Sequence, residues 1–190
     1  MSDRYDRYIE VLSNGISPLE RDAAVAVMLS ACERMFFVLS RPDTRDACDQ
    51  TSLRALLDAM WEKKLVEGTQ FLVPEEFEIE SLSDELVLMA TDSILMTREA
   101  LLDRAVQPQS ILKIAVELAN AVDAAQDPEG TSDAGSLDAF LREPASCAYI
   151  EAARQFEDLA DIAAPGPRAD AWANLRARAT RQDITCGLPL

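Results

Sequence analysis

The chain has 190 residues, is 48% hydrophobic and 27% charged, and sets 34 acids against 18 bases, a formal net charge of −16. That length and hydrophobicity suit one domain with a sizeable core and exclude bulk disorder. The charge repels phosphate backbones and anionic lipid, so neither nucleic acid nor a membrane is the expected partner, whereas a basic protein is attracted.

The segment Met1-Ser2-Asp3-Arg4-Tyr5-Asp6 is polar, and no apolar core of a secretory signal follows it. A first helix is expected from Asp3 to about Leu12, ended by Asn14-Gly15. Ser17 reads as an N-cap, Pro18 as the first helical position and Glu20 as the third member of a capping box. They open a second helix over residues 18–40 that stops before Pro42. From Ala23 to Leu39 only Ser30, Glu33 and Arg34 interrupt apolar residues. This run is too short and too charged for a membrane span, and it reads as a central helix buried on most sides.

A third helix is expected over Thr51 to Val66, with Leu53, Leu56, Leu57, Met60, Trp61 and Leu65 on one face and Gly68 as its C-cap. Residues 69–81 form an acidic, turn-rich connection. Helices follow over Asp84 to Val106 and Gln109 to Ala125, then a loop at 127–136 rich in Gly, Ser and Asp. Two more helices, Ala145–Ala163 and Arg168–Gln182, flank Pro165-Gly166-Pro167, and an irregular tail covers 184–190. No alternating strand pattern survives, since Phe71 to Ile79 is broken by Pro74 and Glu75-Glu76. The expected fold is all-α: a single compact bundle of about seven helices around the central apolar helix, one domain over residues 1–190.

The absence of histidine removes Ser-His-Asp and Cys-His catalysis, His-ligated zinc and the Glu-x-x-His motif of di-iron bundles. Six scattered glycines form neither a dinucleotide fingerprint nor a phosphate-binding P-loop, so no cofactor is expected. Cys32, Cys48, Cys147 and Cys186 share no C-x-x-C spacing. They read as reduced thiols of a cytoplasmic protein, Cys32 being a core residue.

Polar chemistry is expected at one place. Glu33 and Arg34 interrupt the central helix and need partners there, because an unpaired buried charge costs several kcal/mol. Asp58 and Glu62 lie one turn apart on the third helix beside Trp61, with Arg54 a turn before, and Asp92 sits inside an apolar stretch of the fourth. A bundle gathers Glu33, Arg34, Asp58, Trp61, Glu62 and Asp92 into one polar cluster. Clustered carboxylates of this kind hold Mg²⁺ or Mn²⁺ in hydrolases. The plainer reading, and the weightier, is an ion-pair network that sets helix register. Two stretches, Leu65 to Thr97 and Val116 to Leu141, contain acids and no base, while Arg168, Arg176, Arg178 and Arg181 gather near the C-terminus.

Ala31-Cys32-Glu33-Arg34-Met35 with Phe36, Leu56-Leu57-Asp58-Ala59-Met60-Trp61-Glu62 and Ala90-Thr91-Asp92-Ser93 together resemble the conserved segments of domain-of-unknown-function family 416, the YjaG-like bacterial proteins. The resemblance runs from about Leu19 to Gly187. It implies an all-α, cytoplasmic bacterial protein and carries no established activity or catalytic residue. The functional expectation is a non-catalytic protein-binding or regulatory module that offers an acidic surface to a basic partner, an immunity-type inhibitor of a basic toxin being one concrete form. The alternatives are a Mg/Mn-dependent hydrolase using Glu33, Asp58, Glu62 and Asp92, and a homodimeric scaffold associating through Trp172 and Leu175 or another exposed apolar stripe.

Overall fold

A helix buried on all sides needs neighbours on all sides, and the second helix has them. The computed structural model describes residues 4–41, 44, 48–64, 81–102, 106–126, 141–165 and 168–188. Among these residues lie α1 (Arg4–Ile16), α2 (Arg21–Leu39), α3 (Gln50–Trp61), α4 (Leu82–Leu101), α5 (Pro108–Gln126), α6 (Cys147–Ala163) and α7 (Arg168–Ala179), and no strand. α2 packs against α3, α4, α5, α6 and α7, and α1 lies across α5 and α6. Every side chain of α2 from Ala23 to Met35 is buried. Each fully buried Val, Leu or Met there contributes about 1.5–3 kcal/mol by leaving water. Among the described residues no helix is long and apolar enough to cross a membrane.

The ends of the helices depart from expectation for local reasons. α1 does not stop at Asn14-Gly15. The Ser17 amide joins its ladder by donating to the Ser13 carbonyl at 2.9 Å, so Ser17 closes α1 instead of capping α2. Gly15 is a packing residue: a Cβ there would lie 2.9 Å from Leu159 Cδ1, and that methyl would have to turn aside for α1 to keep its place on α6. α2 therefore opens at Arg21 and not at Pro18, with Glu20 as an N-cap whose side chain makes no capping bond. The expected capping box is absent.

α3 ends at Trp61, earlier than the apolar spacing predicts. Lys64 N–H donates to Ala59 O at 2.8 Å and Lys63 N–H to Met60 O at 3.1 Å, with Lys63 in the left-handed region at φ 55°. This is a Schellman stop with lysine where glycine is usual. Lys63 Nζ reaches Asp22 at 2.6 Å and lies 4.4 Å from the Trp172 ring centroid. Those contacts offset the roughly 1–2 kcal/mol that a non-glycine residue loses in this conformation. Gly68, the expected cap, lies outside the described residues, as do the connection at 69–80 and the loop at 127–136.

α4 begins before Asp84, because Ser81 and Asp84 form the reciprocal capping box. Ser146 caps α6 by accepting the Tyr149 amide at 3.1 Å. α7 stops at Ala179, short of the expected Gln182. The segment after it is irregular, as expected, yet it docks: Ile184 and Thr185 are buried.

Candidate functional site

Glu33 and Arg34 are adjacent on α2, and adjacent helix residues point about 100° apart. They accordingly serve two different networks. Arg34 is fully buried and faces α6. Its Nε and Nη2 donate to Glu151 Oε2 and Oε1, both at 2.8 Å. Its Nη1 donates to Asp158 Oδ2 and to Ser30 Oγ, both at 2.8 Å, and Ser30 Oγ–H donates to Asp158 at 2.7 Å. Burial by itself would lower the affinity of the guanidinium for its proton; Glu151 and Asp158 more than reverse this and hold its pKa above the ordinary value.

The network continues outward in two directions. Gln155 Nε2 donates to Glu151 Oε1 at 3.0 Å and to the Leu112 carbonyl of α5 at 2.9 Å, and the Tyr8 hydroxyl of α1 donates to Gln155 Oε1 at 2.7 Å. Burial pushes the Tyr8 hydroxyl well above the usual tyrosine range, so it serves as a neutral donor. On the other side Arg178 of α7 donates to Asp158 Oδ1 at 2.5 Å and also pairs with Asp161. Helices α1, α2, α5, α6 and α7 thus meet through one chain of hydrogen bonds.

Glu33 faces α3. Arg54 donates to both of its oxygens, at 2.6 and 2.7 Å, and Trp61 Nε1 donates to Oε1 at 2.7 Å. Arg54 also reaches Asp58 at 2.7 Å, and Asp58 accepts from Arg176 of α7. The Trp61 ring meets Trp172 edge-on, with centroids 5.7 Å apart. A cleft of about 470 Å³ opens beside this pair, lined by Asp22, Glu62, Lys63 and Arg176.

Glu33, Asp58 and Trp61 are brought together around Arg54. The single cluster that sequence predicts is otherwise divided. Arg34 belongs to the α6 network. Glu62 is exposed and pairs with Lys64 at 2.7 Å, because α3 has already ended. Asp92 stands exposed on α4 and makes no hydrogen bond or ion pair among the described residues; partial burial raises its pKa from the usual value. Leu175 is buried within the chain at 1% exposure and Trp172 leans on Trp61, so these two residues do not form an exposed stripe.

Glu151, Gln155 and Asp158 lie outside the cluster that the sequence predicts. They fall at i, i+4 and i+7 of α6, in register with buried Ala148, Ala152 and Leu159, so polar residues occupy a face that periodicity assigns to the core. The roles of Arg176 and Arg178 are likewise those of residues that dock against acids.

Chemically, the arrangement ties helices to one another through charge pairs. Each of Glu33, Asp58, Glu151 and Asp158 accepts from at least one arginine, and among the described residues no group of three or more His, Cys, Asp or Glu is placed to hold a metal ion. Compared with known proteins, the chain matches no family model, no curated protein and no solved structure.

Proposed function

We propose that this protein is a non-catalytic protein-binding or regulatory module that presents an acidic surface to a basic protein partner. The observation that carries the reading is where the arginines go. Arg34, Arg54, Arg176 and Arg178 are matched by Glu33, Asp58, Glu151 and Asp158. The whole excess of 16 acids therefore stays with the other charged residues. Exposed acids include Asp6, Glu10, Glu85, Asp92, Glu157 and Asp170. Such a field speeds encounter with a basic partner and repels other anions.

The carboxylate-hydrolase alternative has less support, because Glu33 and Asp58 are bound to arginines, Glu62 to a lysine, and Asp92 stands apart from them in the pairing pattern. A cytoplasmic setting belongs to the same proposal and is supported by the four cysteines being free thiols. So does kinship with domain-of-unknown-function family 416, whose resembling segments fall on α2, α3 and α4.

A pull-down with the full chain at low and at physiological salt tests the reading. A basic protein should be retained, more weakly as salt rises, and the exchange of Glu85 and Asp92 on α4 for lysine should weaken retention further. Recovery of no partner at either salt, or retention indifferent to salt and to the exchange, overturns it.

A further inference from the structure

Two of the four cysteines, distant in sequence, meet where the C-terminal turn docks on α6. Cys147 is the first residue of α6 and is 1% exposed. Its Sγ lies 3.4 Å from the carbonyl of Thr185, the residue before Cys186, which makes the two thiols neighbours. Cys186 is half-buried, with φ at 52°. The turn that holds it there is built by Asp183, whose carboxylate accepts from Thr185 N and Thr185 Oγ1, both at 2.8 Å, and from Gly187 N at 3.1 Å. Arg154 ties the same turn to α6 by donating to the Asp183 carbonyl at 2.9 Å.

The two thiols are not equivalent. A cysteine at a helix N-terminus normally gains thiolate character, but here the Asp123 carboxylate takes the amides of Cys147 and Ala148 at 2.8 and 2.9 Å. That position is already occupied by negative charge. The neighbouring Cys186 thiol, followed by burial and Asp123, pushes the Cys147 thiol up. The adjacent Cys147 thiol, with Arg154 nearby, lowers Cys186 below the ordinary cysteine value against the opposing effect of burial.

We propose that Cys147 and Cys186 form a hydroperoxide-reactive dithiol site that closes reversibly to a disulfide between the first turn of α6 and the C-terminal turn. The Cys186 thiolate attacks the terminal peroxide oxygen. The O–O bond breaks, the released alkoxide or hydroxide takes a proton and leaves as alcohol or water, and Cys186 becomes a sulfenic acid. The Cys147 sulfur then attacks Cys186; the S–O bond breaks, hydroxide leaves with the Cys147 proton as water, and the S–S bond forms. Two electrons pass from the two thiols to the peroxide, and a thiol reductant returns them. This inference is independent of the partner reading.

The test is intact-mass and peptide-mapping spectrometry of the folded full chain after treatment with hydrogen peroxide. The expected product has lost two hydrogens, contains one disulfide between the peptides holding Cys147 and Cys186, and is reversed by a thiol reductant. Cys32, buried and pushed up to about 12 by that burial, should stay unmodified. Cys147→Ser should leave a sulfenic acid on Cys186 that dimedone traps, and Cys186→Ser should slow thiol loss at Cys147 by about tenfold or more, since the thiolate is the reacting species. Circular dichroism of both variants confirms that they fold. Both thiols remaining free under excess peroxide overturns the proposal. So does a disulfide to Cys48 in place of the 147–186 pair, or Cys186→Ser reacting at the wild-type rate.

Discussion

Arg34 is the residue on which most of the interior depends. It is a full positive charge with no exposure, and its two carboxylate partners are equally enclosed. Removing one partner from such a group leaves uncompensated charge in a medium that solvates it poorly. Arg34→Met keeps similar bulk and is expected to lower stability by about 3–5 kcal/mol in urea unfolding. Combining it with Glu151→Gln and Asp158→Asn should recover part of that loss. A triple variant no more stable than Arg34→Met would mean that packing, not charge, sets the penalty. Asp92 gives the opposite sign. Burial raises its pKa, so the native state holds this proton more tightly than the unfolded chain, and stability falls as pH rises from the ordinary carboxylate value through the raised one. Asp92→Asn should therefore be as stable as the parent, or slightly more stable, at neutral pH, with the difference vanishing below that window. A variant less stable at neutral pH would reveal a favourable contact of the carboxylate.

At the scale of elements, α7 is the informative case. It is a short helix with little apolar character, yet it closes one side of α2. Two kinds of contact hold it: Leu175 and Ala179 in the core, and Arg176 and Arg178 on carboxylates of α3 and α6. Their magnitudes differ. A buried leucine reduced to alanine loses about 2–5 kcal/mol, whereas the Arg176–Asp58 pair, with side chains 34% and 42% exposed, is screened by water. We expect Leu175→Ala to cost about 2–4 kcal/mol. A double-mutant cycle on Arg176 and Asp58 should give a coupling under about 1 kcal/mol. A coupling above the leucine penalty would make the ion pairs, and not the core contact, what docks α7.

For the whole molecule, the pairing of Arg34, Arg54, Arg176 and Arg178 with four acids leaves the net charge of −16 concentrated among the remaining residues. Self-repulsion of that kind opposes the compact state and is screened within about 10 Å at 0.1 M salt. Raising sodium chloride from about 10 mM to about 150 mM should therefore raise the thermal midpoint at neutral pH. A midpoint that falls with salt would mean that favourable ion pairs outweigh the repulsion. The same screening weakens attraction to a basic partner, so stability and partner binding should respond to salt in opposite directions.

The sequence by itself determined the helical class, the central place of α2 and the need for charge partners at Glu33 and Arg34. These follow from local facts: periodicity, an apolar run too long to lie on a surface, and the penalty of burying charge. Asp58 and Trp61 were also readable, because they sit a short loop away on the next helix with the right spacing. Only the tertiary structure decided the partners of Arg34. Glu151 and Asp158 lie 117 and 124 positions away, and nothing local ties a polar stripe on α6 to a particular face of α2. It also decided where helices end. Gly15 breaks helices in isolation, yet α1 continues through it because α6 packs against the space a side chain would fill. Lys63 takes a left-handed conformation because Asp22 and Trp172 wait for its ammonium. Cys147 and Cys186 meet for the same reason: spacing along the chain sets which residues share a helix face, while the packing of one helix on another sets which faces meet.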